Sequence, residues 1–363
     1  MAHYASNRIF KKSRHLLPIN TTIPKNEPRI CYLSRQQMSL VVLVVQNTLL
    51  VLMMRYSRTQ KAADQPLYLA STAVVMAEMV KIAACFIILR WQHSSWQDFG
   101  QQIKMDVIGK PRGLLIMMIP SGLYALQNNL LYIALSNLEA ATFQITYQLK
   151  ILSTAIFSVL LLGRSLNRTQ WFALTMLMAG VTLVQTQQVM TAAVPDEPNS
   201  KDTHFQNPWI GLLAVLTSCV SSGFAGCYFE KILKTSTTSM WIRNIQLSLC
   251  GAFFSLLGMM IYDLPLIRAG GLFQGYDCMT WLVIINQALG GLLVAIVVKY
   301  ADNILKGFAT SISIIVSSII SFYLFAFQPT LGFIAGAIIV LIAMIIYSKE
   351  SMPKSTSITK LYS

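Results

Sequence analysis

Lys150 stands about ten residues into a long apolar run, at the end of Phe143-Gln144-Ile145-Thr146-Tyr147-Gln148-Leu149-Lys150, with no acidic residue within a helical turn. A lysine near the centre of a bilayer costs about 2.5–3.5 kcal/mol on insertion scales, so it requires a partner that the local sequence does not supply. Lys306 lies in a second such run, four residues after Asp302. There a local ion pair and a cation facing a water-filled cavity are both open. Two ammonium groups in a cavity would hold an anion, and a phosphate suits them. Uncharged polar groups cluster in neighbouring runs: Tyr124, Gln127, Asn128 and Asn129 in one, Ser221 and Ser222 in another, and Asn244, Gln246 and Ser248 in a third. A helix facing lipid would not carry three amides so close together. Amides and hydroxyls to grip a base or sugar, Tyr124, Phe143 and Tyr147 to stack on a ring, and two lysines for phosphate describe a site for a nucleotide-like ligand.

Catalysis fits the residues less well. Acids are few in the apolar runs, and His3, His15, His93 and His204 all fall in expected loops. The six cysteines form no CxxC pair and no Cys/His cluster at metal-ligand spacing, so neither a metal nor another cofactor is expected. The other charges in apolar runs have local readings. Glu78 and Lys81, three apart, form an ion pair on one helix face. Arg243 and the pair Glu230/Lys231 lie near span ends, from which long side chains reach the headgroups. Gly223, Gly226, Gly290 and Gly291 allow close helix packing.

These residues need a membrane-embedded frame, and the composition supplies it. Of 363 residues 55% are apolar and only 12% are charged, which excludes a water-soluble globule. The formal charge of +14 would suggest nucleic acid in a soluble chain, but most of the basic residues sit in short loops between apolar runs, so nucleic acid is not expected as a partner. With about 20 residues per crossing, spans are expected at 37–57, 68–89, 113–135, 140–162, 169–187, 208–230, 240–262, 280–298, 303–325 and 329–347. This is an all-α membrane protein of ten transmembrane helices. Most loop lysines and arginines fall on the side of the N-terminus, so both termini are expected to be cytoplasmic. The polar, acidic stretch 188–207, with Pro195, Asp196, Glu197, Pro198 and Asp202, reads as a linker between halves. The expected organisation is a cytoplasmic tail over 1–36, five helices over 37–187, a lumenal linker over 188–207, five helices over 208–347 and a cytoplasmic tail over 348–363. Five is odd, so a second copy of the first half enters the membrane inverted, and such repeats place a substrate site at their interface near the midplane.

The run from Gln127 to Leu138, continuing into Tyr147-Gln148-Leu149-Lys150, closely resembles the nucleotide-sugar transporters of the Golgi. So do Ser222-Gly223-Phe224-Ala225-Gly226, Trp241-Ile242-Arg243-Asn244-Ile245-Gln246 and the stretch from Lys299 through Asp302-Asn303-Ile304-Leu305-Lys306 to Phe308. The resemblance covers about residues 38–347. It implies the drug/metabolite transporter fold, built from two inverted five-helix repeats. It also implies antiport, with a nucleotide sugar entering the Golgi lumen in exchange for the nucleoside monophosphate left after glycosyl transfer. Lys150 and Lys306 match the family's phosphate-contacting lysines, and Tyr124, Gln127, Asn128, Ser222 and Asn244 match polar positions around the nucleotide. Phe143 and Ser248 stand where the CMP-sialic acid branch carries tyrosines, which speaks against a cytidine nucleotide. Gln274-Gly275-Tyr276, Thr280-Trp281 and Gln287-Ala288-Leu289-Gly290-Gly291 are most similar to the UDP-N-acetylglucosamine branch, with UDP-galactose next. The expected partners are a UDP-sugar, UMP and the lipid bilayer. A homo-oligomer and association with Golgi glycosyltransferases stay open, as does a membrane-embedded transferase using Asp196, Glu197, Asp202, Asp263 or Asp277.

Overall fold

The computed structural model describes residues 34–59, 68–93, 95–109, 111–192, 207–325 and 330–351, so both tails and most of the expected linker lie outside the described residues. Everything regular within them is helical, as it must be where a lipid-facing backbone has no water to bond. The chain opens with α1 (Arg35–Thr59) and α2 (Ala70–Gln92). A short helix, α3 (Trp96–Ile103), starts at Ser95, whose hydroxyl accepts the Gln97 N–H at 3.1 Å, and it runs into a π-helical turn over Lys104–Ile108. Then come α4 (Pro111–Asn137), α5 (Ala140–Tyr147), α6 (Leu149–Leu162) and α7 (Arg168–Ala192). The second half holds α8 (Pro208–Thr235), α9 (Met240–Tyr262), the short α10 (Leu264–Gly270), α11 (Cys278–Tyr300), α12 (Asn303–Phe325) and α13 (Leu331–Ser351). Gly163 ends α6 at φ 65°, a left-handed conformation that glycine adopts without steric cost.

Among the described residues nine stretches are long and apolar enough to cross a membrane: α1, α2, α4, the α5–α6 pair, α8, α9, α11, α12 and α13. Helix α7 has 25 residues, but its apolar core lies between Gln170 and Gln185, which is short for a bilayer. The protein is therefore an all-helical, multi-pass membrane protein. The expected fourth span is not one helix, for a turn at Gln148 divides it.

Helix α4 packs on α8 and α9, α11 packs on α1 and α2, α2 meets α9, and α7 meets α13. The last pair is closest at Gly180 and Gly336: a Cβ on Gly180 would lie 3.0 Å from the Gly336 carbonyl oxygen, and one on Gly336 would lie 2.8 Å from that of Gly180. Gly180→Val should cost about 1–3 kcal/mol through overpacking and lower the melting temperature of the purified protein by several degrees. An unchanged melting curve would show that α7 and α13 separate without loss.

The expected Glu78–Lys81 pair is present on α2, with Nζ 2.7 Å from the carboxylate. It sits against glycines of two other helices. A Cβ at Gly251 of α9 would be 3.2 Å from the Glu78 carboxyl carbon, and one at Gly291 of α11 would be 2.7 Å from Lys81 Cδ. The headgroup reading of Glu230 is corrected by the structure, for Glu230 is fully buried. Arg243 is half-buried and donates to the Ser236 hydroxyl and the Gln246 amide oxygen, each at 2.9 Å.

Candidate functional site

The break between α5 and α6 organises the centre of the molecule. Gln148 is 1% exposed, and its side-chain amide bonds that of Gln185 on α7. This contact holds the turn, because an amide buried in an apolar bundle must find a polar partner. The break places Lys150 in the first turn of α6, with its ammonium 4.1 Å from the centre of the Tyr147 ring. From the other half, Lys306 lies in the first turn of α12.

Both lysines line a cavity of about 210 Å³. Tyr124 of α4, Tyr147 of α5, Thr154 of α6 and Ser222 of α8 share its wall, as do Gln148 and Gln185. Asn303, Thr310 and Ser311 of α12 complete the polar surface, while Ile151, Val181, Ile304 and Ile314 supply the apolar part. Among the described residues neither Lys150 nor Lys306 makes an ion pair. Two buried oxygens nearby, Asn303 Oδ1 in the wall and Gln127 Oε1 behind Tyr147, have no protein partner. Leaving a buried acceptor unsatisfied costs about 1–3 kcal/mol, so a ligand in the cavity that donates to Asn303 Oδ1 gains what the protein forgoes.

Of the two readings of Lys306, the local pair with Asp302 is not formed. Asp302 turns instead to Arg164, whose Nη1 lies 2.6 Å from Oδ2, and its Oδ1 accepts the Leu305 N–H at 2.7 Å. Arg164 also reaches Glu230 at 2.8 Å, and Lys234 reaches the same Glu230 oxygen at 2.7 Å. Burial works against the Arg164 charge, but the adjoining Asp302 and Glu230 carboxylates outweigh it and hold the guanidinium above the usual arginine range.

The structure brings Lys150, Lys306, Tyr124 and Ser222 together around one space. Gln127 stands behind them and donates to the Tyr147 hydroxyl at 3.4 Å. Phe143 is buried and stacks on Tyr147, with ring centres 5.5 Å apart and planes 12° from parallel, so it backs the cavity wall without entering it. Asn128 is exposed on α4, away from the cavity. Asn244 and Ser248 are buried on α9, where Asn244 donates to the Met240 carbonyl at 3.2 Å. Neither of them lines the cavity. Gln148, Gln185 and Asn303 were not singled out from the sequence. A signal existed, since Gln148 interrupts an apolar run and Asn303 opens one.

Residues 33–348 match the family model described as nucleotide-sugar transporter. The UDP-N-acetylglucosamine transporter of Rattus norvegicus is 53% identical over 318 residues, which cover 87% of this chain and 96% of that protein. The UDP-galactose translocator of Bos taurus is 50% identical over 311 residues, covering 85% of this chain and 77% of that one. A solved crystal structure shares the fold at a TM-score of 0.59 with 13% identity, over 87% of this chain and 98% of its own. The family match begins just before α1 and ends within α13, so it takes in the whole helical body and both lysines of the cavity: the chain belongs to the nucleotide-sugar transporter family.

Proposed function

We propose that the protein is an antiporter of the Golgi membrane that carries UDP-N-acetylglucosamine, or a related UDP-sugar, into the lumen in exchange for UMP. The observation that carries this reading is the pair Lys150 and Lys306, one from each half of the chain, lining one cavity without an ion-pair partner among the described residues. Phosphate is common to both cargoes, so each would compete for the same two ammonium groups. The sugar is taken from the relatives named for UDP-N-acetylglucosamine, and UDP-galactose is the second reading because of the relatives named for it. The uridine base is taken from the same relatives, which are named for UDP-sugars, since Phe143 and Ser248 lie outside the cavity lining.

The frame we propose has ten crossings, with α7 as the fifth, in two inverted halves spanning 37–187 and 208–347. Helix packing supports it. Exchanging α1 with α8, α2 with α9, α4 with α11, α5–α6 with α12, and α7 with α13 turns the α4–α8 contact into α11–α1 and the α4–α9 contact into α11–α2. The same exchange turns α6–α8 into α12–α1 and leaves α2–α9 and α7–α13 unchanged. Both tails are then cytoplasmic. A short α7 is tolerable because α13 covers one of its faces.

Liposomes containing the purified protein and preloaded with UMP should accumulate labelled UDP-N-acetylglucosamine unaltered, and liposomes preloaded with CMP should not. Equal exchange with CMP would remove the uridine preference, and chemical conversion of the sugar nucleotide would replace the transporter with a transferase. In sealed Golgi vesicles, protease should remove tags from both ends of the chain; protection of one tag alone would refute the even count of crossings, and protection of both would reverse the orientation.

A further inference from the structure

Four ionisable groups meet beside the cavity: Arg164 from the loop between α6 and α7, Glu230 and Lys234 from the last turns of α8, and Asp302 from the junction of α11 and α12. Two are acids and two are bases, so their charges balance. All four carboxylate oxygens are engaged. Glu230 Oε1 accepts from Arg164 Nη2 at 2.8 Å and Lys234 Nζ at 2.7 Å, and its Oε2 accepts the Asn303 N–H at 3.0 Å. Asp302 Oδ2 accepts from Arg164 at 2.6 Å, and its Oδ1 from the Leu305 N–H at 2.7 Å. Lys306 lies one helical turn beyond Asp302 and forms no ion pair with either acid, although i,i+4 is the spacing at which an Asp and a Lys on one helix meet.

We infer that Arg164 is a positioning residue for substrate binding: by holding Asp302 it keeps that carboxylate off Lys306, whose ammonium is thereby left free for the phosphate of the nucleotide. Without Arg164 the Asp302 carboxylate stands at the head of α12, a helix whose one cation is Lys306. The resulting local pair would neutralise Lys306, and a phosphate would have to displace a tethered carboxylate to bind. The neutral sum of the four-residue set therefore maintains the positive charge of the cavity beside it. This inference rests on the reading of Lys306 as a phosphate contact.

The test is UMP affinity of the purified full-length protein, by calorimetry, in Arg164→Gln, the double variant Arg164→Gln/Asp302→Asn, and Lys306→Met. Arg164→Gln should weaken UMP binding about tenfold or more, the scale of one charge-assisted contact. The double variant should bind within about twofold of wild type, the scatter of an uncoupled position, because the carboxamide put in place of the Asp302 carboxylate would keep an oxygen for the Leu305 N–H and lose the charge that competes. Wild-type affinity in Arg164→Gln would overturn the inference, as would a double variant as weak as the single one, which would make Arg164 a structural clamp only. If Arg164→Gln does not fold, the double variant decides alone, since its remaining charges balance and loss of UMP binding in it refutes the proposal. Lys306→Met should weaken UMP binding roughly 10- to 100-fold, and wild-type affinity there would refute the phosphate reading itself, an outcome distinct from failure of the Arg164 arm.

Discussion

Lys150→Met should abolish exchange of UDP-N-acetylglucosamine for UMP while leaving expression and membrane insertion intact. The two halves of that expectation have one cause. The ammonium is held over the Tyr147 ring and has no carboxylate partner among the described residues, so its removal leaves no opposite charge stranded. Methionine fills similar space over the same ring and is easier to insert into a bilayer. On the proposed function, what is lost is the contact to phosphate, worth about 1.5–3 kcal/mol for a hydrogen bond to a charged group, or roughly 10- to 100-fold in UMP affinity. Lys150→Arg should retain part of the activity, because a planar guanidinium carries the charge but not the compact shape. Calorimetry on the detergent-purified variant checks this directly. UMP bound by Lys150→Met as tightly as by the wild type would take Lys150 out of the site.

Glu230→Leu should produce the opposite result, with folding lost before function can be measured. Glu230 is fully buried and takes three donors, from Arg164, Lys234 and the Asn303 N–H. Leucine would leave a buried amide without an acceptor at the start of α12 and would remove the anion that faces two cations. Breaking a buried ion pair from one side costs about 3–5 kcal/mol. Glu230→Gln should be milder, since the amide oxygen still accepts hydrogen bonds and Lys234, which is about one-third exposed, can reach water. Thermal unfolding followed by size-exclusion chromatography should order the three proteins as wild type, Gln, Leu. Equal melting of all three would show that Arg164 and Lys234 find other partners at no cost.

The contrast between these two acidic and basic positions explains what the sequence revealed. Lys150 was legible because insertion cost is a local quantity: a cation deep in an apolar run, with no acid within a turn, declares itself without any knowledge of the fold. The long apolar helices were legible for the same reason. The position of Glu230 near a span end suggests a headgroup anchor, whereas two of its three partners lie 66 and 73 residues away in the chain. Asp302 offered Lys306 at four residues, and the fold chose Arg164 at 138. At the break the sequence shows Gln148 itself but not what holds the turn, since the amide that stabilises it, Gln185, is 37 residues on. Phe143 and Gln127 were identified in the right neighbourhood but at one remove, behind Tyr147, because a sequence orders residues along a helix without showing which ring lies in front.

The balance of buried charge has a consequence for the energetics of the membrane potential. Glu78 cancels Lys81, and the two acids beside Arg164 cancel that residue and Lys234, so the charge left over at the cavity is that of Lys150 and Lys306. A nucleoside monophosphate near neutral pH carries about two negative charges, and the diphosphate of a nucleotide sugar carries the same number. On the proposed function, the loaded cavity is then electrically neutral with either cargo. A voltage does work of about 2.3 kcal/mol per elementary charge per 100 mV on whatever moves through it, and on a neutral cavity it does none. Exchange would run at the same rate on polarised and depolarised membranes, driven by the two nucleotide gradients alone, whereas an empty cavity would have to carry both positive charges through the field.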